Sequence, residues 1–163
     1  MPEPVGFLLT WTTYGTWLPG DERGWIKRGQ GVKLPDPVLR DAAAARMTEP
    51  ACTLDAEQRR LVDETVADHC RIRGWHLHAM SCRSNHVHVV LSADVNPVDM
   101  RDQFKAWCTR KLKERQRRDG EQRIRQKWWT ERGGQRYIAD EDGLEATILY
   151  VVEAQDRKGR DLH

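Results

Sequence analysis

The sequence predicts an α+β fold built on an antiparallel sheet, and three observations carry the prediction. Segments rich in strand-forming residues lie on either side of two long segments with helical periodicity. A short polar turn joins two of the strands, which favours an antiparallel hairpin. The resulting order, β–α–β–β–α–β, is that of a ferredoxin-like sheet with helices on one face. A further helix follows this unit.

The first half of the chain supplies three strands and one helix. We expect these elements at residues 5–13, 55–73, 75–82 and 87–92, in that order. Gly74 ends the helix, and the polar residues 83–85 form the turn between the second and third strands. The segment from about residue 18 to residue 54 shows no sustained periodicity. We interpret it as a long loop insertion that contains a short helix at 41–47.

The second half begins with a helix that starts at Asn96, because a capping residue is followed there by a proline and an acid. Basic residues, including Arg101, are expected on its outer side. The inner apolar stripe comprises Met100, Phe104, Trp107, Cys108 and Leu112. Residues 128–130 and 136–138 then predict two short strands joined as a hairpin by a glycine turn. Asp140 caps a final helix that runs through Ala154.

Length and composition indicate a single globular domain over residues 1–163. No apolar run is long enough to span a membrane, and the N-terminus lacks the pattern of a signal peptide. We therefore expect a cytoplasmic protein with no membrane partner. The four cysteines have no short paired spacing, so no disulfide framework is indicated. Residues 101–136 hold thirteen Lys or Arg against five Asp or Glu, a local excess of eight positive charges.

Two histidines, His86 and His88, are the first candidate site. In a strand they share one face, where two neutral imidazoles could hold one divalent cation. The alternative is a strand that merely contains two histidines. A second pair, His76 and His78, is interpreted as sheet surface, with a supporting role for His78 left open. Cys82 could join His86 and His88 in a zinc site only with a fourth ligand that the sequence does not indicate.

Tyr150 is the second candidate. At about 100° per residue, it projects away from the apolar cluster of the final helix, which comprises Leu144, Ile148, Val151 and Val152. Ala146 and Ala154 lie one turn to either side and would leave space around the phenol. One interpretation is a nucleophile that attacks phosphorus to form a phosphotyrosine. The other is a surface tyrosine that packs its ring locally.

A cationic segment beside exposed tryptophans favours a phosphate backbone with unstacked bases. Lys and Arg residues of the 101–136 segment would hold the backbone. The available stacking surfaces are Trp17, Trp25, Trp107, Trp128 and Trp129, of which Trp107 is expected in the core. A merely solvated helix face is the alternative. The candidate DNA-contacting residues are Arg83, Asn85, Lys105, Arg110, Lys111, Arg132, Arg136 and Trp17.

Taken in order, these features resemble the REP-associated tyrosine transposase branch of the single-tyrosine HUH transposases, over roughly residues 6–155. The resemblance is carried by 13–20 (TYGTWLPG), 84–90 (SNHVHVV), the basic helix, Trp129 with 133–137, and 150–153 (YVVE). It implies that His86 and His88 bind Mg²⁺ or Mn²⁺. It also implies that Tyr150 attacks single-stranded DNA, giving a 5′-phosphotyrosine link and a free 3′-hydroxyl. Relatives recognise an imperfect DNA hairpin, and they include homodimers as well as monomers.

One departure from the family concerns the third metal ligand. Members often place an Asn or Gln one helical turn after the tyrosine, and here that position is Ala154. Gln155 is our candidate for the third ligand, with Glu153 as its competitor. A competing function is a non-catalytic nucleic-acid binder derived from such a transposase. An RNA-recognition module is disfavoured because the two central strands lack interleaved aromatic residues, and a zinc hydrolase would need a third strong ligand and a general base.

Overall fold

The computed structural model describes residues 3–27 and 29–154. Within these residues, six strands and four helices follow one another, and the last helix continues into a π-helical turn. The elements are β1 (Gly6–Thr12), β2 (Trp25–Ile26), β3 (Val32–Lys33), α1 (Pro37–Ala45), α2 (Ala56–Arg73), β4 (His76–Cys82), β5 (His86–Ser92), α3 (Pro97–Arg118), β6 (Gly134–Ile138), α4 (Glu141–Leu149) and the π turn Tyr150–Ala154.

Four strands form the main sheet in the order β4-β5-β1-β6, and every neighbouring pair is antiparallel. The apolar β1 therefore lies between β5 and β6. Together with the two long helices, this arrangement confirms the predicted α+β, ferredoxin-like fold. Strands β2 and β3 form a separate two-stranded ribbon.

One face of the sheet packs against α2 and α3 and holds most of the core. Its strand residues alternate inward, as Leu9 and Trp11 of β1 and Val87 and Val89 of β5 do. The Trp11 ring stacks on Phe104 of α3 with 6.1 Å between the ring centroids. Because odd-numbered residues of β5 point into this core, the even-numbered histidines point to the opposite face.

That opposite face carries α4 and the π turn, which cover only part of it. Leu8 and Val90 of the sheet pack there against Leu144 of α4 and Val151 of the π turn. His86 and His88 lie further along the same face, next to this smaller core. The sheet is thus enclosed on one face and only partly covered on the other.

The insertion between β1 and α2 contains more regular structure than predicted. Helix α1 begins at Pro37, because the Asp36 side chain accepts a hydrogen bond from the Leu39 amide and proline occupies the first turn. The helix predicted at 41–47 therefore starts about four residues earlier than expected. Among the described residues, no helix has both the length and the apolar character that crossing a bilayer requires.

The predicted hairpin of residues 128–130 and 136–138 is wrong. Both segments pair with β1 and not with each other: Trp129 forms a single bridge with Thr13, and Gly134 lies opposite Thr10. The residues between them loop away from the edge of β1. Arg132 has a left-handed φ of 64°, and Gly133 has a φ of 147°. A Cβ at Gly133 would lie 2.3 Å from the Thr10 carbonyl oxygen, which explains the glycine.

Two residues of α3 depart from the predicted stripe. Arg101 is buried, not on the basic outer side, and its guanidinium donates to the Gly133 carbonyl and to Gln135 Oε1, both at 3.1 Å. Trp107 remains 38% exposed because it lies at the margin of the stripe, where its ring meets His69 of α2. Trp128, in contrast, is buried and cannot serve as an exposed stacking surface.

Candidate functional site

His86 and His88 lie side by side on the partly covered face of the sheet. Their ring centroids are 5.0 Å apart and the ring planes are nearly perpendicular. Across the strand pair, His86 lies opposite Thr12 and His88 opposite Thr10. Both residues belong to β5, so the sheet fixes their backbone. The His88 side chain is buried and that of His86 is half-buried.

The Nδ1 atom of each ring contacts a neighbouring polar side chain. His86 Nδ1 lies 2.6 Å from Asn85 Oδ1, and His88 Nδ1 lies 3.0 Å from Thr10 Oγ1. An amide oxygen only accepts, so this contact suits the tautomer with the proton on His86 Nδ1, in which Nε2 is the nitrogen able to bind a metal ion. Metal-binding histidines are commonly oriented in this way, by a second partner on the other ring nitrogen. Asn85 and Thr10 are therefore positioning residues for the two imidazoles.

Tyr150 faces this pair from the C-terminal end of α4. Its ring centroid is 6.2 Å from that of His88, with the two planes almost perpendicular. The prediction that Tyr150 projects away from the apolar cluster is wrong, since the half-buried ring packs against the small core around Leu8 and Val90. Val152, which was predicted to be part of the cluster, is 52% exposed instead.

The π-helical turn begins at Tyr150 and redirects the residues that follow it. The Tyr150 backbone is still α-helical, and its N–H donates to the Ala146 carbonyl. A turn with i→i+5 bonding rotates less per residue than an α-helix, so Val152 misses the direction projected at 100° per residue. Such turns are frequent at functional sites. A cavity of about 530 Å³ lies beside the tyrosine and is lined by Arg136, Ala146 and Thr147, among others. Space next to the phenol was predicted from the small Ala146.

The two histidines fit part of a divalent-metal site. Imidazole nitrogens are suitable donors, and the contacts of Asn85 and Thr10 hold the rings without using Nε2. Within residues 3–27 and 29–154, no group of three or more His, Cys, Asp or Glu side chains could hold a metal ion. Glu153 is exposed in the π turn, and Gln155 lies outside the described residues. Water and phosphate oxygens would have to complete an octahedral shell.

The second histidine pair lies at the other end of the hairpin. His76 is paired with Ser92, whereas the candidate site lies at the His86 end of β5. The register of β4 against β5 shifts between Leu77 and Ala79. The His76 and His78 rings are stacked, with 4.4 Å between the centroids. His78 Nε2 lies 2.7 Å from Ser92 Oγ, and burial, together with the charge of His76, lowers the pKa of His78.

The predicted DNA-contacting residues fall into two groups. Arg83, Asn85 and Arg136 lie near the histidines or the tyrosine: Arg83 donates its backbone N–H to the His86 carbonyl, and the Arg136 guanidinium donates to Thr147 Oγ1 at 3.3 Å. Arg136 lies opposite Leu8 and therefore shares the site's face of the sheet. The exposed Arg132 lies in the turn before β6.

The basic helix α3 lies on the other face of the sheet. Arg110 and Lys111 there are exposed and pair with Glu114. The half-buried Lys105 ammonium donates to the carbonyls of Thr130 and Arg132, at 2.8 and 2.7 Å. Burial and the neighbouring Arg101 lower the pKa of Lys105. The sheet thus separates the positive face of α3 from the histidines.

Thr10 is the site residue that sequence reasoning missed. The available signal was the pair of hydroxyl residues Thr10 and Thr12 on one face of a strand whose other residues are mainly apolar. Two such positions, opposite two histidines, mark a polar strip on that face. Without the register of β1 against β5, the sequence does not show which threonine meets which ring.

No protein-family model matches this chain, and the search of curated proteins found no significant match. Among solved structures, the chain is similar to a REP-associated tyrosine transposase bound to a REP hairpin. The TM-score is 0.54 at 11% sequence identity, and the alignment covers 96% of this chain and 70% of that one. At this identity the likeness shows a common fold.

Proposed function

We propose that this protein cleaves and rejoins single-stranded DNA through a covalent link to Tyr150. The observation that supports the proposal is the approach of Tyr150 to the histidine pair, with 6.2 Å from its ring to His88 and 5.0 Å from His88 to His86. A nucleophile beside two side chains that can bind a metal ion is suited to metal-assisted phosphodiester transfer. The fold shared with a tyrosine transposase agrees with this proposal.

The proposed reaction exchanges one phosphodiester for another. Tyr150 Oη forms a bond to phosphorus, the bond from phosphorus to the 3′-oxygen breaks, and the phenolic proton is transferred overall to that oxygen. The products are a 5′-phosphotyrosine and a DNA end with a 3′-hydroxyl. Attack by a second 3′-hydroxyl reverses these steps and restores the phenol. Because the number of ester bonds is conserved, no nucleotide cofactor is needed.

His86 and His88 would hold a Mg²⁺ or Mn²⁺ ion against the scissile phosphate. When bound, the ion would neutralise charge on the non-bridging oxygens and polarise the phosphorus centre. Asn85 and Thr10 would keep the imidazoles in the binding tautomer. We propose Gln155 as the third ligand and Glu153 as its competitor. If Glu153→Ala removes Mn²⁺ binding while Gln155→Ala leaves it unaltered, this assignment is wrong.

The substrate we propose is a DNA strand that folds into a hairpin. Support comes from the solved tyrosine transposase of similar fold, which is bound to a REP hairpin. Arg83, Asn85, Arg132 and Arg136 would contact DNA on the site side. On the other face, Lys105, Arg110 and Lys111 would hold flanking DNA. A homodimer and a cytoplasmic location are further proposals that go with this function.

The test is trapping of a covalent adduct. Fluorescently labelled hairpin DNA with single-stranded flanks is incubated with the protein and Mn²⁺ or Mg²⁺, then run on a denaturing gel. We expect a denaturant-stable band for the wild type that is lost in Tyr150→Phe, His86→Ala and His88→Ala. Tyr137→Phe is the matched control, since that tyrosine is 62% exposed on β6, and its band should persist. An adduct that survives in Tyr150→Phe would refute the proposal.

A non-catalytic DNA-binding protein is the second candidate. It is favoured by the finding that no group of three or more His, Cys, Asp or Glu side chains within the described ranges could hold a metal ion. This candidate predicts that the wild type binds the hairpin but gives no adduct with either ion. It also predicts that Tyr150→Phe binds the same DNA as tightly as the wild type.

A further inference from the structure

A second cavity, of about 600 Å³, lies on the α3 side of the sheet. It opens between the loop that follows β1 and the segment that precedes β6. Aromatic and basic side chains line much of it, including Tyr14, Trp17, Trp129, Lys105 and Lys127. Its volume is within the range of small-ligand sites, about 300–1,000 Å³. Of the residues that line this cavity, the function proposed above uses only Lys105.

The cavity lies at the same end of the sheet as the histidines. Thr12, the last residue of β1, is opposite His86, and Tyr14 follows two residues later. The Tyr14 backbone N–H donates to the Trp128 carbonyl, which ties this loop to the far wall of the cavity. A chain that leaves the histidine face can therefore reach the cavity by passing around the end of one strand.

Trp17 is held rigidly although its side chain is 43% exposed. Its indole Nε1 donates to the Gly24 carbonyl at 2.8 Å. The Arg23 guanidinium lies 3.9 Å from the ring centroid and is itself fixed by Asp21 and by the Thr16 carbonyl. This pairing with Arg23 lowers the pKa of the buried Asp21 to about 2.

Arg23 is not among the residues that line the cavity, so it supports the indole without filling the space. An exposed aromatic ring normally loses rotational freedom when a ligand stacks on it. The Trp17 ring is already held in one orientation in the free protein, so it loses less rotational freedom on binding, and this favours binding. The arrangement is typical of a preformed stacking surface.

The charges around the cavity favour a nucleotide. Lys127 lies over the Tyr14 ring, 5.6 Å from its centroid, and provides a cation for a phosphate. Lys105 also lines the cavity, although two carbonyls take up its ammonium group. Glu131 is the acidic residue of the lining, and its carboxylate could accept a hydrogen bond from a base amino group. Aromatic rings combined with cations are the usual means of holding unstacked bases.

We propose that this cavity binds an unstacked base of the DNA strand that flanks the Tyr150 site, with the base stacked on Trp17 and an adjoining phosphate on Lys127. The inference rests on the proposed function and names a second contact for the same strand. It assigns the loop of residues 13–20 to strand binding. It also separates base contacts on one face of the sheet from the chemistry on the other.

The test compares two oligonucleotides that differ only in their bases. One is a fluorescein-labelled, mixed-sequence single strand, and the other has the same phosphates with abasic residues. Affinities of both are measured by fluorescence anisotropy for the wild type, Trp17→Ala, Trp17→Phe and Lys127→Ala. Trp107→Ala is the matched control, because that tryptophan is similarly exposed and also has an arginine, Arg110, near its ring.

We expect Trp17→Ala to raise the Kd for the normal strand about 5- to 150-fold, which corresponds to the loss of one stacked base. The Kd for the abasic strand should be unchanged. Trp17→Phe should lose less affinity for the normal strand than Trp17→Ala does. Trp107→Ala should bind this strand as tightly as the wild type. Lys127→Ala should weaken the binding of both strands. It should also lower the slope of log Kd against log salt concentration by about 0.7.

Three results would overturn the inference. They are a wild type that binds both strands equally, a Trp17→Ala variant that binds the normal strand as the wild type does, and a Trp107→Ala variant that loses as much affinity. The comparison of the two strands with the wild type does not depend on the folding of any variant. Adduct formation by the same variants on the metal-loaded hairpin DNA of the trapping test separates the two proposals: an adduct without Trp17 dependence of strand affinity refutes only the cavity, and Trp17 dependence without an adduct refutes only the chemistry.

Discussion

Thr10→Val tests whether the hydroxyl opposite His88 orients the metal-binding imidazole. The substitution keeps the shape of the side chain but removes Oγ1, which lies 3.0 Å from His88 Nδ1. Loss of one hydrogen bond should lower the free energy of unfolding by about 1 kcal/mol. For a domain of this size, that corresponds to a fall in Tm of about 2–4 °C. The fold should otherwise be retained, because valine suits a central strand.

The functional effect should be larger than the effect on stability. Removing the partner that orients a metal-binding histidine commonly costs about 10- to 100-fold in metal affinity or activity. We therefore expect Mn²⁺ binding, measured by isothermal titration calorimetry, to weaken by about that factor. Adduct formation should fall in parallel at low Mn²⁺ and should recover in part when the ion is raised.

Thr12→Val is the matched control for this variant. Thr12 lies opposite His86 on the same strand face, but its hydroxyl donates to Thr130 Oγ1 at 3.1 Å. It should lose similar stability and retain the Mn²⁺ affinity of the wild type. If Thr10→Val binds Mn²⁺ as tightly as the wild type, or if Thr12→Val loses the same affinity, then Thr10 does not orient the ligand and the reasoning is refuted.

Three further predictions concern stability and are checked by urea unfolding. Phe104→Ala removes the ring stacked on Trp11 and should cost about 3–5 kcal/mol; a loss below about 1 kcal/mol would contradict the packing described for this core. Gly133→Ala should cost about 1–3 kcal/mol, because its φ is 147° and a Cβ would meet the Thr10 carbonyl. Gly134→Ala, whose Cβ would meet no atom closer than 4.0 Å, should cost less. Burial, reinforced by Glu64, raises the pKa of Asp63 from 3.8 to about 6, so the folded protein binds this proton more tightly than the unfolded chain does. The resulting penalty grows as the pH rises from about 4 to about 6 and is complete above that range. Asp63→Asn should therefore stabilise the protein by about 1 kcal/mol well above pH 6 and by little near pH 4, and an equal gain at both values would show that the carboxylate is not the cause.

The sheet and the two long helices could be predicted because their signals are local. Helical spacing and Gly74 predicted a helix over residues 55–73, and α2 has these bounds to within one residue. In the structure a capping box of Asp55 with Gln58 begins the helix, and Gly74 ends it with a φ of 74°. Alternation along β5 placed His86 and His88 on one face without knowledge of the partner strands. These features depend on neighbours within a few positions, which the sequence displays directly.

The errors arose where distant segments decide the outcome. The glycine turn after Trp129 suggested a hairpin, but the free edge of β1 pairs with both flanking segments. Arg101 followed the polar pattern of a helix exterior, yet the Gly133 carbonyl and Gln135 supply acceptors that allow its burial. The exposure of Val152 follows from a π turn, which periodicity at 100° per residue does not detect. The Tyr150 ring packs on Leu8 and Val90, which lie far from it in the sequence.

The central claim is that Tyr150 is the nucleophile, and peptide mapping of the trapped adduct tests it most directly. DNA is labelled either on the 5′ side or on the 3′ side of the cleaved bond, the adduct is digested with protease, and the modified peptide is identified by mass spectrometry. The chain has three tyrosines, at positions 14, 137 and 150, so the attachment point is unambiguous. We predict a nucleotide linked through its 5′-phosphate to Tyr150, with only the 3′-side label retained and a polymerase-extendable 3′-hydroxyl on the released strand. Attachment at Tyr14 or Tyr137, or retention of the 5′-side label, would contradict the account.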